Sequence, residues 1–231
     1  MAEEQNRNQI IRKDARGCFV ESLDDYFHMG KAHLLFAAYD MNRPPGQRQT
    51  DSINIFIGVG ELQEICRKLS SGELRWLMDQ KRNANDQTPL MEWLGGTSAE
   101  KLARLGRARQ DGMSLSRTAK LLCGNRTDFL FVAASGPGEQ SQKGLIVPRF
   151  GKNPENHVTV SLAWDALSEL FLLTREHYQA WLSARYFASM SGQQAQQDGG
   201  QARGGYQSDG NQYEQPYQAG ENQYHADGTQ Y

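Results

Sequence analysis

The amino-acid sequence predicts an α+β protein: two antiparallel-sheet-plus-helix units in the pattern of an internal duplication, followed by a disordered C-terminal tail. Three observations carry that expectation. Apolar runs of period two lead directly into runs of helical spacing, once around Ile53 and again around Val158. The two strand-to-helix segments also match without a gap, pairing Ile53 with Val158, Ile55 with Val160, Ile57 with Leu162, Leu62 with Leu167, Glu64 with Glu169, Ile65 with Leu170, Trp76 with Trp181 and Leu77 with Leu182. Apart from Met190, residues 188–231 hold no Leu, Ile, Val, Phe or Trp, so they bury too little apolar surface to offset the entropy of ordering.

Along the chain, MAEEQNRNQIIRKDARG is polar and charged, which predicts a flexible N-terminus over residues 1–17 and a folded body over 18–187. Asp24 and Asp25 in SLDDYF read as a helix-start cap. AHLLFAAYDM, from Ala32 to Met41, is a strand, and Pro44, Pro45 and Gly46 place a loop after it. In SINIFIGV the residues Ile53, Ile55, Ile57 and Val59 share one face and Phe56 points to the other. GELQEICRKL then sets Leu62, Ile65, Cys66 and Leu69 at helical spacing, and a Ser-Ser-Gly break precedes a second helical run, ELRWLMDQK.

Residues 83–125 are mostly polar, with breaks at Pro89, Gly95, Gly96 and Gly112, and read as a basic helical insert between repeats 31–80 and 128–187. In the second half DFLFVAASG, GLIVPRFG and NHVTVSLAW read as a three-stranded antiparallel meander. A helix follows through Leu167, Leu170 and Phe171, and REHYQAWLSARYF continues as an amphipathic run.

Hydrophobic residues make up 38% of the chain, with four Trp and nine Phe, enough for a real core. The net charge of −2 hides an asymmetry: Asp198, Asp209, Glu214, Glu221 and Asp227 against Arg203 make the tail acidic and leave the body mildly basic. The basic residues cluster in Lys101, Arg104, Arg107, Arg109, Arg117, Lys120 and Arg126, with Asp111 the one acid among them. Cys18, Cys66 and Cys123 lack any CxxC partner, which argues against a disulfide framework or a zinc site and for a reducing compartment. With no signal-length or membrane-length apolar run, the expected location is cytoplasmic with no membrane partner.

Catalytic chemistry is not expected. His28, His33, His157, His177 and His225 form no HExxH or Cys/His cluster, so no metal is expected. There is no GxxxxGK[ST] or GxGxxG cradle, and ASGPGEQSQKG lies between strands rather than at a helix start, so no cofactor is expected either. Residues 113–130, MSLSRTAKLLCGNRTDFL, have the outline of a helix-turn-helix, which keeps a duplex-DNA regulator as an alternative. DFLFVAAS, however, suits a buried strand better than a recognition helix. A protein–protein adaptor is the other alternative.

Binding of single-stranded nucleic acid needs cations along a backbone path and aromatics on which bases stack. Lys31, Arg43 and Arg48 in the first half and Lys143, Arg149, Phe150 and Lys152 in the second offer that combination. Phe56 is a candidate platform, and Arg104, Arg107 and Arg109 are expected on an exposed helix face.

GLIVPRFGKNPENHVTVSLAWDALSEL, a strand, a polar loop, a strand and an immediate amphipathic helix, resembles the carboxy-terminal single-stranded-DNA-binding domain of the transcriptional coactivator positive cofactor four and the related Whirly proteins. LLFAAYDMNRPPGQRQTDSINIFIGVGELQEICRKL looks like the same unit, and the long basic insert departs from the family pattern. The resemblance implies two four-stranded sheets, each followed by a helix, joined through those helices as a homodimer or an intrachain pseudo-dimer. It also implies curved β-ribbons presented to a single strand, in a non-enzymatic accessory role in replication, DNA transfer or a mobile element. The tail repeats Tyr206, Tyr213, Tyr217, Tyr224 and Tyr231 in Gln/Gly-rich acidic sequence. Bacterial single-strand-binding proteins similarly place a Gly/Gln-rich linker and an acidic end after a folded domain, which implies protein partners for this tail.

Overall fold

Alternation of apolar and polar residues builds the first sheet. In the computed structural model, which describes residues 8–198 with side chains through 190, β1 (Gln9–Ala15), β2 (Cys18–Leu23), β3 (Lys31–Tyr39) and β4 (Gln49–Gly58) form an antiparallel sheet in sequence order. Val20, Leu34, Phe36, Ile53, Ile55 and Ile57 are buried on its inner face. The β3–β4 register sets His33 opposite Phe56 and Lys31 opposite Gly58 on the outer face. The Gly58 N–H donates to Glu61 Oε2 at 2.9 Å, which starts α1 (Val59–Ser70), and α2 (Glu73–Asn83) follows a left-handed Gly72.

The N-terminus departs from expectation, because residues 9–15 form an edge strand rather than a flexible segment. Ile11 and Ala15 face the core, Arg12 lies 3.6 Å over the Phe19 ring, and Lys13 pairs with Glu169. An edge strand with two small inward contacts leaves almost no apolar signature. Residues 1–7 lie outside the described residues. Asp24 and Asp25 cap no α-helix: a 3-10 turn at Phe27–Met29 follows, with no side-chain cap, and Asp25 accepts from His33 instead.

The second sheet is β5 (Met91–Thr97), β6 (Ser114–Cys123), β7 (Phe129–Gln140), β8 (Ile146–Pro148) and β9 (Asn156–Leu162), with α3 (Ala99–Arg104) between β5 and β6. The expected helical insert 83–125 therefore supplies two strands. β6 buries Ser114, Ser116 and Thr118 on one face and Ala119 and Leu121 on the other, so its burial period is invisible to hydrophobicity. The expected meander is also revised: one edge of β7 pairs with β6, and its other edge is shared by β9 along Phe129–Ser135 and β8 along Gly138–Gln140. Residues 113–130 are consequently the heart of a β-hairpin and hold no helix-turn-helix.

A single helix, α4 (Trp164–Asp198), follows β9, its Trp164 N–H donating to Asp128 Oδ2 at 2.8 Å. The helix runs past residue 187, where the tail was expected to begin. Ala, Met and Gln in 188–198 are good helix formers, and extending an existing helix needs no new nucleus. Residues 199–231, with the repeated tyrosines, lie outside the described residues.

Compactness divides the chain into Met1–Ala188 and Ser189–Tyr231. Within the first unit, α1, α4 and both sheets share one core, in which Phe36 meets Phe131 at 4.7 Å between ring centroids and Phe131 meets Phe171 at 5.9 Å. Four strands precede α1, and five strands, β8 and β9 sharing one edge of β7, precede α4. Cys66 Sγ donates to the Phe171 carbonyl at 3.3 Å, joining α1 to α4 through two residues 105 apart, the same offset that aligns the halves. The expected equivalence of Trp76 and Trp181 fails. Trp76 is 59% exposed on α2, whereas Trp181 is half-buried beside Phe27 and Tyr178, because α1 breaks at Ser71–Gly72 and α4 runs on. Among the described residues no helix is long and apolar enough to cross a membrane.

Candidate functional site

Where β4 of the first sheet lies against the polar end of the second, the core gives way to a cleft. Its inner compartment, about 170 Å³, is lined by Lys31, Asn54, Ile55, Phe56, Trp93, Leu94, Gly95, Gly96 and Arg117. An outer compartment of about 410 Å³ shares Lys31, Asn54, Phe56, Gly96 and Arg117 and adds Asp25, Tyr26, Met29, His33, Thr97, Lys101, Leu105 and Arg107.

Strand pairing assembles the aromatic wall. The 3-10 turn carries Tyr26 over the β3–β4 hairpin, where its ring lies 4.5 Å from Phe56 and 5.5 Å from His33, and His33 stacks on Phe56 at 4.7 Å. His33 is held from both sides: Nδ1 donates to Asp25 Oδ1 at 2.9 Å, and Nε2 faces Asn54 Oδ1 at 2.8 Å.

The opposite wall is bare backbone. A Cβ on Gly96 would come within 2.3 Å of the Leu115 carbonyl and 2.9 Å of Ile146 Cγ2, so only glycine lets β5 run this close to β6 while Ile146 of β8 seals the outer side.

Arg117 closes the floor. It projects from β6 on the core-facing side, past the point where Trp93 and Ala119 end the apolar layer, and Nη1 donates to Thr97 Oγ1 at 3.1 Å. No carboxylate pairs with it among the described residues, and burial pushes its guanidinium pKa below the ordinary arginine value. A half-buried cation with no counter-ion in a cleft walled by rings is an unsatisfied site for an electron-rich ligand. Lys31, Lys101 and Arg107 stand exposed around the mouth.

The residues expected from sequence divide sharply. Lys31, Phe56 and Arg107 line the cleft. Arg104 is exposed at the end of α3. Arg107 and Arg109 lie beyond that six-residue helix in a loop between left-handed Gly106 and Gly112, so the three arginines share no helix face. Arg109 is neutralised by Glu155 at 2.6 Å and Asp111 at 2.7 Å, whose hydrogen bonds raise its pKa. Arg43 and Arg48 sit at the far end of the β3–β4 hairpin, roughly 25 Å of strand from Lys31. There Arg43 faces Asp40 at 3.8 Å and Arg48 Nε donates to the Arg43 carbonyl at 3.2 Å. Arg149 Nε donates to Glu139 at 2.7 Å, Phe150 packs against Gly136, and exposed Lys143 and Lys152 stay outside the cleft lining.

Tyr26, His33, Asn54, Lys101 and Arg117 were not singled out by sequence reasoning. Lys101 and Arg117 belong to the basic stretch, and a polar residue inside an otherwise apolar strand was the signal available for His33. Their convergence depends on register and on how the sheets meet. No protein-family model matches the chain, and neither the curated proteins nor the solved structures contain a match to it.

Proposed function

We propose that this chain is a non-enzymatic binder of single-stranded nucleic acid and that the cleft between the sheets is its binding site. The observation that carries the reading is Arg117, a half-buried cation with no carboxylate, next to the Tyr26–His33–Phe56 ring cluster. Exposed bases of a single strand offer the rings a stacking surface, and the phosphates offer Lys31, Lys101 and Arg107 charge partners at the mouth. A duplex hides its base faces, so the aromatic wall favours the unpaired strand.

Two antiparallel sheets, each followed by a helix, also accord with the resemblance to the positive cofactor four and Whirly proteins. On this reading the chain is an intrachain pseudo-dimer of such units and acts as an accessory factor in replication, DNA transfer or a mobile element. Its three free cysteines suit a reducing cytoplasm.

Fluorescence anisotropy of a labelled single strand across a salt series tests the proposal. Each phosphate contact contributes about 0.7 to the slope of log K against log salt. Replacing Lys31, Lys101 and Arg107 together by Gln is expected to flatten that slope by about 2. An equal-length duplex is expected to compete at least about tenfold less well. Absence of single-strand binding by the wild type at low salt overturns the proposal.

A further inference from the structure

The inner compartment is chemically one-sided. Its polar side chains are Lys31, Asn54 and Arg117. Lysine and arginine only donate hydrogen bonds, and Asn54 Oδ1 lies 2.8 Å from His33 Nε2. Arg117 spends one Nη1 bond on Thr97 and retains Nε and Nη2 as a planar donor fork. The space is below the ~300 Å³ at which ligand pockets commonly begin, so it admits one flat group rather than a whole nucleotide. Phe56, Trp93 and Leu94 supply apolar side chains beside the Gly95–Gly96 backbone, which suits a base and disfavours a phosphodiester.

Resting on the single-strand reading above, we propose that the inner compartment selects guanine, taking its N7/O6 edge on the Arg117 fork while the ring stacks on Phe56. Guanine presents two adjacent acceptors on that edge, with no donor between them, which complements the donor fork of Arg117. Adenine brings the N6 amino group to the same place, setting donor against donor, thymine offers one carbonyl beside a methyl group, and cytosine meets the fork only by turning its O2/N3 edge, in place of its N4 amino group, toward Arg117. Lys31, Lys101 and Arg107 then hold the flanking phosphates at the mouth, where flexible, exposed ammonium and guanidinium groups meet a solvated backbone.

The test uses full-length protein and a short labelled oligothymidine with one central substitution: guanine, inosine, 7-deazaguanine or adenine. Inosine keeps N7 and O6 and lacks the 2-amino group, so it is expected to bind as guanine does. 7-Deazaguanine lacks only the N7 acceptor, and it is expected to bind about tenfold more weakly, as adenine is, in line with loss of a bidentate base contact. Arg117→Lys keeps the charge and loses the fork, so guanine and 7-deazaguanine strands are expected to converge on that variant. Wild-type binding of all four strands alike, with Arg117 serving a phosphate, overturns the guanine selection and leaves single-strand binding standing. Binding of none of them overturns both. The analogue series needs no variant to fold, so a misfolded Arg117→Lys protein does not shelter the proposal.

Discussion

Single side chains decide which of this chain's charges are available to a ligand. Arg109 and Lys120 of the basic stretch are held by carboxylates, Lys120 facing Glu92 at 3.1 Å, and Arg149 outside it is held by Glu139, so these charges are neutralised locally. Arg117 is the reverse case, a half-buried cation with no counter-ion among the described residues. Glu21 shows the same physics with the opposite sign. It is buried on β2 beside Arg12 of β1, and burial raises its carboxyl pKa, with Arg12 and His33 only partly offsetting that cost. A group whose folded pKa is raised stabilises the fold fully below its unfolded pKa, and that contribution is lost as pH rises through the folded value. Glu21→Gln is therefore expected to melt higher than wild type near pH 7, with the gap closing toward about pH 4. Thermal unfolding at the two pH values checks this, and a variant less stable than wild type at neutral pH contradicts it.

Elements are fixed by contacts remote in sequence as much as by their own periodicity. The start of α4 is an example: Asp128, in the turn between β6 and β7, accepts from the Trp164 N–H and so satisfies a helix N-terminus 36 residues away. Asp128→Ala is expected to cost about 1 kcal/mol in chemical denaturation, the usual scale for a lost cap, and Asp128→Asn to recover most of it. Equal losses in both variants point to a role other than accepting that bond. β3, β4, α1 and α2 were legible in the sequence because each buries apolar residues at its own period. β6 was not, since Ser114, Ser116 and Thr118 occupy buried positions that composition assigns to solvent. β5 was obscured by Gly95 and Gly96, which read as a break, whereas Gly96 in fact lets β5 approach β6.

At the scale of the molecule, the site exists because residues of β3 and β4 in one sheet and of β5 and β6 in the other surround a space that the core leaves unfilled. Phe56 and Lys31 could be nominated from sequence, since a strand with three buried isoleucines must turn its phenylalanine outward. Arg117 could not be placed, because its strand was read as helix and its neighbours in the cleft come from β3, β4 and β5. The buried apolar core ends with Phe171, well inside Met1–Ala188. A chain ending at Ala188 is expected to melt within about 3 °C of the full-length protein by calorimetry. A larger fall assigns a stabilising role to residues 189–231.

The cleft itself is tested most directly by mapping where a bound strand touches the protein. Full-length protein bound to a single strand carrying 5-iodouracil, irradiated and digested, is expected to yield adducts on peptides containing Tyr26 or Phe56, the half-buried rings that line the cleft. Adducts confined to residues 141–152 or 41–48, with none on the ring cluster, contradict the cleft as the binding site.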